Sequence, residues 1–215
     1  MILNLAGRID YTLLKPEATE KDIVKLCHEA VKYGFASVCV NPIYLCTAAR
    51  LLHGTGIAPT TVVGFPLGAV TSETKIQEII TAKAYGAREV DAVINIGRIK
   101  SGDWKVVERD AALMVQTAQG CGLKIKIIIE TALLNPEEKK RAAELVKQVG
   151  ADYVKTSTGF FGGVTVQDVI DLKQWVGPAV KIKASGGIKT KQFALELIEA
   201  GAERLGTSSG PALIS

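Results

Sequence analysis

A (β/α)₈ barrel of the α/β class is the fold this sequence predicts, on three observations. A phrase occurs four times in which an amphipathic segment ends at glycine and a β-branched run begins soon after: Tyr33-Gly34-Phe35-Ala36 before SVCV, Tyr85-Gly86-Ala87 before EVDAVIN, Val149-Gly150-Ala151 before DYVKTS, and Ala200-Gly201-Ala202 before ERLGTSS. Glycine closes a helix in the left-handed conformation without a Cβ penalty, so each phrase reads as a helix-to-strand joint. Short strand-like runs alternate strictly with helical patterns, which calls for parallel pairing through right-handed crossovers. Runs such as TTVVG and IKIII are nearly all apolar, as strands covered on both faces must be.

The elements follow in order. Strands are expected at residues 9–12, 37–40, 60–64, 90–95, 125–130, 153–156, 180–183 and 204–207. Helices are expected at residues 20–33, 43–53, 72–85, 104–119, 136–149, 166–175 and 190–200. Pro136-Glu137-Glu138 opens its helix with proline in the first turn and carboxylates at the positive end of the dipole. An open doubly wound sheet is the other arrangement of such units. No GxGxxG follows the first run, however, and eight units of about 25 residues suit a closed ring better.

Composition sets the outer bounds. With 215 residues, 47% apolar and 22% charged, the chain is expected to form one domain over residues 1–215, and it is too apolar for disorder. Its net charge of +4 is spread along the chain, which argues against nucleic acid and suits a small anionic ligand. Cys27, Cys39, Cys46 and Cys121 show no CxxC spacing, and residues 1–10 lack a secretory signature, so a cytoplasmic location is expected. The charge-free stretch 54–72 contains Pro59, Pro66 and four glycines, a poor membrane span. His28 and His53 fall in expected helices without paired-ligand spacing, so neither metal nor cofactor is expected.

In this fold chemistry sits at the C-terminal ends of the strands. Asp91, Lys126, Lys155 and Lys183 interrupt runs that should be apolar. Each alone could be a buried salt bridge or an exposed strand end. Together they converge on one interior, where three ammonium groups face one carboxylate. Excess positive charge in a desolvated site lowers a lysine pKa, and a free amine can attack an aldehyde or ketone to form an imine. The loops Ala184-Ser185-Gly186-Gly187-Ile188-Lys189 and Gly206-Thr207-Ser208-Ser209-Gly210-Pro211-Ala212 follow the last two strands. Their glycines and hydroxyls would let backbone N–H groups approach a phosphate, although tight turns use the same residues.

The segments IDYTLLKP, SVCVNP, VVGFPLGA, EVDAVINIG, IKIIIET, YVKTSTGF, VKIKASGGI and LGTSSG resemble the deoxyribose-phosphate aldolases over nearly the whole chain. The resemblance implies a class I aldolase that reversibly cleaves 2-deoxy-D-ribose 5-phosphate to acetaldehyde and D-glyceraldehyde 3-phosphate through a lysine Schiff base. It implies that Lys155 forms the imine, that Lys183 lowers its pKa and helps transfer protons, and that Asp91 is the acid/base partner. Lys126 would support the cationic cluster, and Asp10, Thr12 and Cys39 would lie on the substrate side or hold water. Thr158, Gly159, Gly186, Gly187, Gly206, Ser208 and Ser209 would bind substrate, chiefly at its phosphate. A homo-oligomer is also implied, with no nucleic-acid or membrane partner expected.

Some members of that family extend to a C-terminal tyrosine near the site. This sequence ends at Ser215, so the enamine proton is expected from Lys183, Asp91 or solvent. Lys189 stands where an arginine is common, keeping charge without the bidentate fork. Two other readings share the barrel: a sugar-phosphate isomerase whose lysines only hold substrate, and a phosphometabolite-binding regulator.

Overall fold

Each β-branched run pairs in parallel with the next. In the computed structural model, which describes residues 4–214, the strands are β1 (Ile9–Leu13), β2 (Ser37–Val40), β3 (Ala58–Val63), β4 (Glu89–Val93), β5 (Lys124–Ile128), β6 (Tyr153–Lys155), β7 (Lys181–Ser185) and β8 (Arg204–Thr207). They form a closed barrel in chain order, with β8 returning to β1 through Asp10 opposite Gly206. The expected architecture is therefore the observed one.

The helices are α1 (Glu20–Tyr33), α2 (Leu45–Leu51), α3 (Ser72–Ala84), α4 (Ile96–Lys100), α5 (Trp104–Gly120), α6 (Pro136–Gln148), α7 (Val166–Val176), α8 (Lys191–Glu199) and α9 (Gly210–Ile214). Capping boxes at Thr19–Asp22, Asn135–Glu138 and Thr165–Asp168 start α1, α6 and α7. Each satisfies backbone donors that the first turn leaves unpaired. Apolar stripes such as Ile23, Leu26, Cys27 and Ala30 of α1 are buried. They join a core with the outward-facing Val38, Val40, Val90, Ile125 and Ile127 of the strands, so the principal apolar core lies between strands and helices.

Several boundaries differ from the sequence reading. α2 is shorter than expected at both ends: Pro42–Tyr44 forms a separate 3₁₀ turn before it, and it ends at Leu51, which leaves His53 beyond the helix. α4 was not expected: Asn95, assigned to a strand, caps it by accepting from the Arg98 N–H. β5 stops before Glu130, which takes a left-handed backbone with φ of 55°. β7 runs on to Ser185, and Thr190 caps α8 from outside it. The readings that include residues 1–3 and Ser215 lie outside the described residues. No helix among the described residues is long and apolar enough to cross a membrane.

Candidate active site

Parallel register decides which side chains meet inside the barrel. Asp91 is opposite Lys126, Lys155 opposite Lys183, and Lys183 opposite Arg204. Side chains alternate along a strand, so this parity sends Asp10, Glu89, Asp91, Lys126, Lys155, Lys183 and Arg204 into one interior. Lys155 Nζ donates to Asp91 Oδ2 at 2.7 Å, and Lys183 Nζ reaches the same oxygen at 2.6 Å. Lys183 is also 2.5 Å from Asp10 Oδ2. Lys126 lies 3.0 Å from Asp91 Oδ1 and 2.6 Å from Glu89 Oε2. Arg204 donates from Nε to Asp10 Oδ1 at 2.7 Å and from Nη2 to Glu89 Oε2 at 3.1 Å.

This arrangement corrects the charge count made from sequence. Three carboxylates, not one, face the lysines, and Arg204 adds a fourth cation. The consequences differ sharply between the lysines. Burial works against charge on Lys183, but Asp10 and Asp91 outweigh it and raise its pKa. Burial likewise opposes charge on Lys126, and Asp91, Glu89 and Asp10 again prevail and raise it. At Lys155 burial dominates, the like charge of Lys183 adds to it, and Asp91 does not compensate, so its pKa is lowered. Asp91, though buried, is held well below the usual carboxylate range by Lys126, Lys155 and Lys183. Asp10 is lowered against its burial by Lys183, Arg204 and Lys126.

Lys155 also borders open space. A cavity of about 480 Å³ is lined by Lys155 together with Thr12, Thr158, Gly159, Gly186, Gly187, Gly206 and Ser208, eight of the residues expected at the site. Asp10, Asp91, Lys126 and Lys183 are fully buried and are not among its lining residues. Cys39 is buried on β2, and burial pushes its thiol up to about 11. Ser209 does not line the cavity; its N–H donates to Thr207 Oγ1. Lys15, Phe160, Ser185, Thr207 and Lys189 complete much of the wall.

The β6 and β7 loops are tied together. Ser185 Oγ donates to the Ser157 carbonyl at 2.6 Å, and Thr156 Oγ1 to the Ser185 carbonyl at 3.2 Å. Glu130 accepts from both the N–H and the hydroxyl of Thr158, fixing the turn beside Lys155. Gly186 has φ of 94°, and a Cβ there would lie 2.8 Å from the Gly162 carbonyl oxygen. Only glycine permits that close approach of two backbones. Sequence reasoning missed Glu89, Glu130 and Arg204. Glu89 and Arg204 had a signal: each stands two residues before an inward position of its strand, at Asp91 and Gly206.

Among the described residues, no group of three or more His, Cys, Asp or Glu side chains is placed to hold a metal ion. The geometry offers instead one amine biased towards its neutral form, a shared carboxylate, a second ammonium and a glycine-rich wall. A family model for DeoC/LacD family aldolase matches residues 8–213. A deoxyribose-phosphate aldolase of Desulfitobacterium hafniense (strain DSM 10664 / DCB-2) is 64% identical over 99% of this chain and 98% of its own. One from Geobacillus sp. (strain WCH70) is 54% identical over 98% of this chain and 95% of its own. Among solved structures, the tetrameric deoxyribose phosphate aldolase from Aeropyrum pernix has a TM-score of 0.91 at 35% identity, covering 98% of this chain and 89% of that one. The aldolase QR15 has a TM-score of 0.93 at 36% identity, over 99% and 95%.

Proposed function

The chain belongs to the DeoC/LacD family of aldolases, and we propose that its interior lysine constellation carries the reversible cleavage of 2-deoxy-D-ribose 5-phosphate into acetaldehyde and D-glyceraldehyde 3-phosphate. The observation that supports this most is the contrast between three lysines in one interior, of which Lys155 alone has a lowered pKa and lines the cavity. An amine must be unprotonated to attack a carbonyl, so Lys155 is the nucleophile.

Its nitrogen adds to C1 of the open-chain sugar to give a carbinolamine, and loss of water gives an iminium. As a base removes the C3 hydroxyl proton, the C2–C3 bonding pair flows towards nitrogen. D-glyceraldehyde 3-phosphate leaves and an enamine remains. Protonation at C2 regenerates an iminium, and hydrolysis releases acetaldehyde and Lys155. Asp91 Oδ2 lies within hydrogen-bond distance of both Lys155 and Lys183, so one oxygen links the reacting nitrogen to a proton reserve. Proton movement between Lys183, Asp91 and a water is the relay this arrangement supports.

The phosphate is assigned to the wall formed by Gly159, Gly186, Gly187 and Ser208, with Lys189 adding positive charge. Anchoring the far end of the sugar turns remote binding into orientation at C2–C3. Thr12, Thr158 and Gly206 border the substrate, while Asp10, Lys126 and Cys39 act from within the wall. Self-association is proposed by analogy with the Aeropyrum pernix tetramer, and a reducing cytoplasm suits the free cysteines.

Treatment with acetaldehyde and a hydride reductant tests the reading. A two-carbon mass addition on the peptide containing Lys155 is the expected result. An unlabelled Lys155 in protein that still binds the sugar phosphate would favour an electrostatic, isomerase-like site instead.

A further inference from the structure

The contacts inside the barrel continue beyond the groups that face substrate. From Asp91 the chain of ion pairs runs through Lys126 to Glu89, then through Arg204 to Asp10, and back through Lys183 to Asp91. This ring plus Lys155 contains four cationic side chains and three carboxylates. Neither Arg204 nor Glu89 lines the cavity. Both stand at the first position of their strands, β8 and β4, at the opposite end of the barrel from the loops.

We propose that Arg204 and Glu89 are positioning residues that set the charge on Lys155, because the interior is electrically even only when Lys155 is a neutral amine. A net charge sealed from water is unfavourable, and the member of the set that can release a proton at least cost is the one with fewest carboxylate contacts. Lys155 contacts Asp91 alone, whereas Lys126, Lys183 and Arg204 each contact two or more carboxylates. The lowered pKa of Lys155 and the raised values of Lys126, Lys183 and Arg204 agree with that ranking.

The other groups turned to this interior do not alter the count. β2 supplies Cys39, whose thiol is pushed up to about 11 by burial, β3 supplies the hydroxyl of Thr60, and β6 adds the phenol of Tyr153. Lys15 and Lys189 face the cavity from its solvent side, and Glu130 is turned to Thr158. The inference rests on Lys155 as the imine-forming residue, and its test separates the two.

The rate of acetaldehyde and cyanoborohydride labelling of Lys155, followed by peptide mass against pH, reports its free amine. Arg204→Gln leaves the carboxylates in excess and should move the labelling midpoint up by about one pH unit. Glu89→Gln leaves the cations in excess and should move it down by a similar amount. The double variant should return it close to the wild-type value, and Arg204→Lys should hold it there. A merely structural role would lower activity without opposed shifts. Midpoints that stay put, or move in one direction in both single variants, would overturn the inference. Should Arg204→Gln fail to fold, Glu89→Gln with Arg204→Lys decides it in the same way. A wild-type protein unlabelled at Lys155 would overturn the imine reading and this inference with it.

Discussion

Lys155 is the interior lysine whose burial is not outweighed by its carboxylate contacts, so Lys155→Ala should abolish turnover and leave the barrel folded. Steady-state assay beside a urea unfolding curve checks both halves. Lys183→Leu removes the neighbouring positive charge that helps depress Lys155, so the acid limb of kcat/KM should move to higher pH. Full activity at neutral pH in that variant would require a different source of amine activation. At this scale the sequence was informative where a charge broke an apolar run, as at Asp91, Lys126, Lys155 and Lys183. It was silent on partnership, because Asp10, Glu89 and Arg204 stand at strand starts, where a charge is usually solvated. Closure of the ring brings them together: Arg204 meets Glu89 across 115 positions of chain.

The loop after β7 is legible from composition and becomes specific through its contact with the loop after β6. Glycines in ASGGI suggested a phosphate loop and Gly159 of KTSTGF followed from the resemblance, but the need for glycine comes from the approach of Gly186 to the Gly162 carbonyl. Gly186→Ala should therefore raise KM for the phosphorylated sugar several-fold, with a much smaller effect on unphosphorylated 2-deoxyribose. Parallel initial-rate measurements on the two substrates make the comparison. The start of α6 was equally local: Pro136 marks it in sequence, and the Asn135–Glu138 capping box closes it in space. α4 was missed because five residues carry too little periodicity to register. Glu130 was missed for another reason. Its left-handed backbone and its grip on Thr158 follow from where β5 stops, and no neighbour in sequence announces that.

The eightfold alternation carried the whole architecture, since strict strand-helix order leaves few ways to pair parallel strands. The interior charges add a property of the entire ring. Asp10 and Asp91 have folded pKa values below their unfolded ones, so their contribution to stability is present above about pH 4 and is lost as pH falls towards the folded values. Lys126 and Lys183 are raised, so theirs is complete below about pH 10 and fades only at higher pH. Urea midpoints should therefore fall steeply below about pH 4. Asp91→Asn should flatten that fall, and an unchanged profile would show that other carboxylates govern it.

Asp10, Asp91, Lys126 and Lys183 are without solvent exposure, so beneath Lys155 the barrel is closed by ion-paired side chains and the amine meets the cavity from its loop end. On the proposed reaction, a three-carbon product held against the glycine-rich wall would lie between solvent and the two-carbon fragment bound to Lys155. The same order in reverse would have synthesis load the small aldehyde first.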